Sequence, residues 1–139
     1  MITTVEGAIE QILKSAVPVT ELVGTMIYSN IADQQIEEAE APYMVIITDE
    51  VTDIQTQDGV TVSDMMIYID VYHQNLNRAS TITGAVKGAL QDYSGTHGTI
   101  EIEEMWMSDK MMARSETVDK QIYRMEWMAM VNYISNNDN

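Results

Sequence analysis

The sequence predicts an α+β domain: a mostly antiparallel β-sheet with two α-helices packed on one face. Three observations carry this. Two stretches repeat apolar residues at helical spacing, most of the remaining apolar residues alternate with polar ones, and the elements run helix, strand, hairpin, helix, hairpin.

Residues 3–16 form the first amphipathic stretch, with Val5, Ala8, Ile9, Ile12, Leu13 and Ala16 on one stripe. Thr3 and Glu6 have capping-box spacing, and Pro18 ends the helix. "TELVG" adds at most one helical turn before a short strand at Thr25–Ser29. The polar, acidic segment 30–42 reads as a surface loop, with Pro42 holding Ala41 extended. "YMVIITDEV" resumes strand character, with Tyr43, Val45 and Ile47 on one face and Met44, Ile46 and Thr48 on the other. Asp58-Gly59 supplies the turn of a hairpin spanning about 43–73, whose tip lies near Gln55–Val62. On its second arm Met65, Ile67, Ile69 and Val71 face one side, and Met66, Tyr68, Asp70 and Tyr72 the other. After Asn75 the period becomes helical over 77–93, through Ala79, Ile82, Val86, Ala89, Leu90 and Tyr93, with Asn75 or Asn77 as the cap. Gly84 and Gly88 in this helix predict close approach to the sheet or to the first helix. "SGTHG" turns the chain, "TIEIEEMWM" is a strand, and 108–119 is a connection. The last strand, 121–134, places Tyr123, Met125, Trp127, Ala129, Val131 and Tyr133 on one face. The chain reads as a single domain over 1–139, with mobile loops at 30–42, 49–64 and 108–119 and a frayed tail at 135–139.

Composition excludes several functions. With no cysteine there is no disulfide, thiolate metal site or cysteine nucleophile. No apolar run approaches the roughly 20 residues of a membrane span, and "MITTVEGAIEQ" lacks the pattern of a secretory signal. The net charge of −15 repels both DNA and anionic lipid. Twelve methionines and no phenylalanine indicate a core filled with methionine, or an adaptable contact surface.

No catalytic motif emerges. His73 and His97 are the only histidines and have no HExxH spacing, and the acids around the hairpin tip lack the ligand order of a calcium loop. There is no GxSxG elbow, and "GAVKGAL" is not a phosphate-binding loop. Seven scattered basic residues make no nucleic-acid stripe. The reading is therefore non-enzymatic, with no cofactor and no metal. An apolar surplus does emerge: with helices on one sheet face, the other still carries Met66, Tyr68, Tyr72, Met128, Met130 and Ile134. The first five mark a candidate subunit interface, and the sheet edges invite pairing with a neighbour. Asp49, Glu50, Asp53, Asp58 and Asp64 mark a candidate docking or lumen loop.

Four stretches in order resemble the tail completion, or tail terminator, proteins of long-tailed bacteriophages and prophages: "VEGAIEQIL", "PYMVI" after an acidic loop, "IYIDVYHQNLNRASTITGAVKGAL" and "SETVDKQIYRMEWMAMVNY". The resemblance implies a structural protein of the virion tail, assembled in the bacterial cytoplasm. Such proteins cap the tail tube as a ring, typically a hexamer, end its polymerisation and dock the head–tail connector. Its partners would be further copies of itself, the tail tube protein and the connector, with DNA passing through the hole without specific binding. An acidic lumen suits that passage. The alternative is an acidic DNA mimic that inhibits a host nuclease or restriction enzyme. A third option, an enzyme built on His73, has no supporting motif.

Overall fold

The computed structural model describes residues 1–24, 26–29, 42–55, 61–117 and 122–136. The architecture is α+β and the sheet is mostly antiparallel. Among the described residues there are three helices, α1 (Val5–Ser15), α2 (Val17–Val23) and α3 (Leu76–Leu90). Six strands, β1 (Ile27–Ser29), β2 (Tyr43–Gln55), β3 (Thr61–His73), β4 (Gly95–His97), β5 (Ile100–Thr117) and β6 (Ile122–Ser135), form one sheet in the order β1-β2-β3-β6-β5-β4.

Helix α1 starts one residue later than the capping-box spacing indicates. Thr4, not Thr3, is extended at the cap, and its hydroxyl accepts a hydrogen bond from the Gly7 N–H at 3.1 Å. Val5, Ala8, Ile9, Ile12 and Leu13 are buried, while Lys14 bridges to Glu10 at 2.8 Å on the exposed side. Pro18 does not simply end the helix. Ala16 breaks the chain with an extended backbone, and Pro18 then occupies the first turn of α2, where its missing N–H costs nothing. That short helix replaces the single turn expected from "TELVG", and it buries Val19 and Val23.

The β2–β3 hairpin has the extent read from the sequence, about 43–73, but its arms stay paired through the stretch also counted as a mobile loop. Pairing runs from Tyr43↔Tyr72 out to Gln55↔Thr61, so 49–55 and 61–64 are strand, whereas the sequence reading made 49–64 a loop. Val51, Ile54 and Val62 keep enough β character to extend the ladder. A bulge between Thr48 and Val51 absorbs Asp49 and Glu50, the polar pair that obscures the pattern. The segment 108–119 is likewise strand as far as Thr117: β5 slips register between Met107 and Met111 and resumes against β6 at Met111↔Trp127. Strand β6 lies antiparallel to β3 from Val62↔Ile134 to His73↔Tyr123, so the centre of the sheet joins the two halves of the chain. Residues 30–41 of the expected loop 30–42, residues 137–139 of the expected tail 135–139, and Asp58 with its turn lie outside the described residues.

One core contains the apolar stripes of the helices and one sheet face, here the inner face. Ile9, Leu13, Ile82, Val86 and Leu90 meet Met44, Ile46, Ile67, Ile69, Val71, Trp127 and Val131, all at most 5% exposed. Fully burying each such side chain contributes about 1.5–3 kcal/mol. Met44, Met65, Met105, Met107 and Met125 are buried where other cores place phenylalanine. Asn75 caps α3 by accepting from the Arg78 N–H at 3.1 Å. Gly84 and Gly88 do not mark a close approach: both are exposed, and a Cβ at either would meet nothing within 4 Å.

Candidate functional site

The opposite, outer face of the sheet is built by strict alternation on β3 and β6. Met66 pairs with Met130 and Tyr68 with Met128, so these four side chains form a continuous half-buried patch on two neighbouring strands. The Tyr68 hydroxyl approaches the Met66 sulfur at 3.6 Å. Tyr72, the fifth candidate interface residue, stands apart. Its ring stacks on Tyr43 with centroids 4.6 Å apart, within a second small cluster containing Val45, Met26 and Tyr28.

Two features of this face were not legible as function. Asp70 lies between the patch and the tyrosine pair, 0% exposed, with the Arg124 guanidinium 3.6 Å from its carboxylate. A buried charge of this kind needs its partner, because a lone carboxylate in that place costs several kcal/mol. The other feature is Trp106, 56% exposed on β5. Plain alternation from Ile100 would send Trp106 into the core. A register shift between Ile102 and Glu104 instead buries Met105 and Met107 and turns Glu104 and Trp106 outward. The signal lay in "EE": two consecutive glutamates cannot both alternate with Ile100 and Ile102.

Two cross-strand rows result on the outer face. Asp64, Asn132 and Glu104 are register neighbours across β3, β6 and β5, and Met66, Met130 and Trp106 form the adjacent row. The Asn132 side-chain amide donates to Asp64 at 2.7 Å. Asp64, Asn132, Glu104, Met130 and Trp106 line a shallow cleft of about 440 Å³.

Of the acidic candidates, Asp53 and Asp64 take opposite faces of the hairpin. Past the bulge, Asp53 pairs with Ser63 and accepts from its hydroxyl on the inner side, near Tyr133. Burial pushes the Tyr133 phenol up, Asp53 and Glu6 add to that, and the Ser63 hydrogen bond opposes it. Asp64 faces the outer side, Asp49 is exposed at the bulge, and Glu50 is described by its backbone alone. His73 has a structural role: its Nδ1 accepts from the Asn75 N–H at 2.8 Å where β3 gives way to α3. Burial, and then the Arg78 charge, hold its pKa below the usual imidazole value. The His97 ring links the Tyr93 hydroxyl to Gln11 of α1. Among the described residues no group of three or more His, Asp or Glu side chains is arranged to hold a metal ion, and no helix is long and apolar enough to cross a membrane.

Comparison with known proteins adds to this geometry. The family model described as tail completion protein gp17 matches residues 7–118. Among solved structures, a chain of the "Virion of native gene transfer agent (GTA) particle" superposes with a TM-score of 0.77 at 16% identity, covering 94% of this chain and 95% of that one. At that identity the likeness shows a shared fold. None of the curated proteins matches the sequence.

Proposed function

This chain belongs to the tail completion protein gp17 family of structural tail proteins, and from that premise we propose that it assembles as a ring, a hexamer, capping the head-proximal end of the tail tube. The ring ends tube polymerisation and offers the head–tail connector its docking surface, and DNA passes through without specific binding. Assembly takes place in the host cytoplasm.

The observation that carries this reading is the outer sheet face. Met66, Tyr68, Met128 and Met130 leave a contiguous apolar patch on strands whose other face is already packed. Tyr72, stacked on Tyr43 beyond Asp70, offers a second, separate apolar contact on the same face. A patch used head-to-tail against a different surface of the next copy closes into a ring. The net charge of −15 supports a lumen that repels phosphate, with Asp49, Glu50, Asp53, Asp58 and Asp64 as its candidate acids or as docking contacts. A DNA mimic needs carboxylates in one phosphate-like line. Asp53 and Asp64 instead lie on opposite faces of the hairpin, which does not favour that alternative.

The test adds purified protein to polymerising tail tube protein from the same phage and reads tube length by negative-stain electron microscopy. Tubes are expected to stop growing and to carry a ring at one end. A protein that stays monomeric at every concentration and leaves tube growth unchanged would overturn the reading.

A further inference from the structure

The cleft on the outer face combines three kinds of group that rarely meet on an otherwise ordinary sheet surface. Asp64 and Glu104 are carboxylates on the two strands flanking β6, separated by Asn132. Among the described residues no lysine or arginine pairs with either of them. The Asn132 amide fixes Asp64 at 2.7 Å, so that carboxylate is held in place rather than swinging in solvent. Next to this row stands the Trp106 indole, 56% exposed, against the Met130 thioether.

Each part favours an organic cation. A guanidinium stacks on an indole face, where the ring quadrupole attracts it within about 6 Å. Its planar fork also matches carboxylate oxygens, and its weak hydration makes transfer onto an apolar surface inexpensive. A hard divalent ion would want about six oxygen ligands, which an indole and a thioether cannot supply. An ammonium is also drawn to an indole face, as Lys87 is to Trp127 at 5.4 Å, but it cannot stack flat on the ring or offer a planar fork to two carboxylates. Nucleic acid is repelled by the two carboxylates and by the net charge of −15. A second copy of the chain brings that same charge, whereas a basic partner is drawn in by it.

We propose that the Asp64–Glu104–Trp106 cleft is a docking pocket for an arginine side chain of a basic partner protein. Trp106 provides the stacking platform, Asp64 and Glu104 the paired acceptors, and Asn132 positions Asp64. The proposal rests on reading the outer face as a contact surface. It adds that the Asp64–Glu104–Trp106 end of this face, beside the Met66–Tyr68–Met128 patch given to the ring contact, takes a different, basic protein anchored by one arginine. Trp and Arg are the residue types that most often dominate interface energetics.

The pocket can be tested on the isolated chain. The indole N–H resonance of Trp106, told apart from that of Trp127 by a Trp106→Phe spectrum, is followed while N-acetylarginine methylamide is added. The control is the citrulline analogue, which has the same shape and no charge. The arginine compound is expected to shift the resonance saturably in the millimolar range, while the citrulline compound leaves it in place. Glu104→Gln and Asp64→Asn should each weaken the effect by about three-fold, the size of an exposed ion pair. Both sit on the sheet surface, and an unchanged amide spectrum verifies their fold. Equal shifts with citrulline, no saturable shift with arginine, or indifference to both substitutions would overturn the pocket. If the resonance moves with protein concentration alone, the occupant is a second copy and the proposed partner is wrong. A chain that caps tubes yet ignores the arginine probe loses the pocket and keeps the ring.

Discussion

At the scale of single residues, Gly98 is where the backbone leaves least choice. Its φ is +59°, and a Cβ there would lie 2.0 Å from the Ile2 carbonyl oxygen, which already accepts the Thr99 N–H at 3.0 Å. Gly98→Ala is therefore expected to destabilise the fold by at least about 1–3 kcal/mol, the cost of a strained left-handed residue alone. The urea midpoint of the variant measures it. His73 makes a second prediction. Burial and Arg78 lower its folded pKa below the unfolded value of 6.5, so the neutral ring is the form the fold favours. Its contribution to stability is complete above the unfolded pKa and is lost as pH falls through that value and on through the folded one. NMR titration should find the His73 ring protonating at lower pH in the native chain than in urea, and an equal or higher native midpoint would refute this. Neither effect could be read in the sequence. The approach of Ile2 to Gly98 joins residues far apart in the chain, and the sequence places His73 at the change from strand to helix without showing its bond to the Asn75 N–H.

At the scale of elements, α3 offers the cleanest test. The spacing of Gly84 and Gly88 suggests packing, but both face open space. Gly84→Ala and Gly88→Ala are each expected to stabilise the chain by about 0.5–1 kcal/mol, since alanine restricts the unfolded chain and suits a helix interior. Thermal melts of the two variants check this, and destabilisation would show that the glycines are needed for contact. The helical stripes and the alternation on β3 and β6 were legible because one face of each is buried and the period is unbroken. Strand ends and turns were less so. Asp49-Glu50 looks like a return to loop and Glu103-Glu104 sits in a stretch that reads as plain strand, yet each marks a bulge that inserts one residue and lets the strand continue. That is why Trp106 and Glu104 were missing from the candidate site: their outward direction depends on a register shift, which follows from pairing with β6 and not from local pattern.

At the scale of the whole molecule, charge sets the conditions for assembly. In the proposed ring, copies that each carry −15 would repel one another, and the apolar outer face would have to overcome that repulsion. Raising salt from about 0.01 M to about 0.1 M shortens the screening length from about 30 to about 10 Å. The oligomeric fraction in sedimentation velocity is thus expected to rise across that range. A fall would mean that attraction between unlike charges, rather than apolar contact, holds the copies together. The pairing of β3 with β6 has a consequence of a different kind. The middle of the sheet cannot be made by either hairpin alone, because its two strands come from opposite halves of the chain. Partners far apart in sequence must find each other after the intervening loop entropy has been lost, which slows folding. While the ribosome is still adding residues 122–135, β3 has no partner on one side and its edge is open. A nascent chain at that stage is a target for chaperones and for misassembly. The sheet therefore closes late in synthesis, and a contact surface that spans β3, β6 and β5 does not exist before it closes.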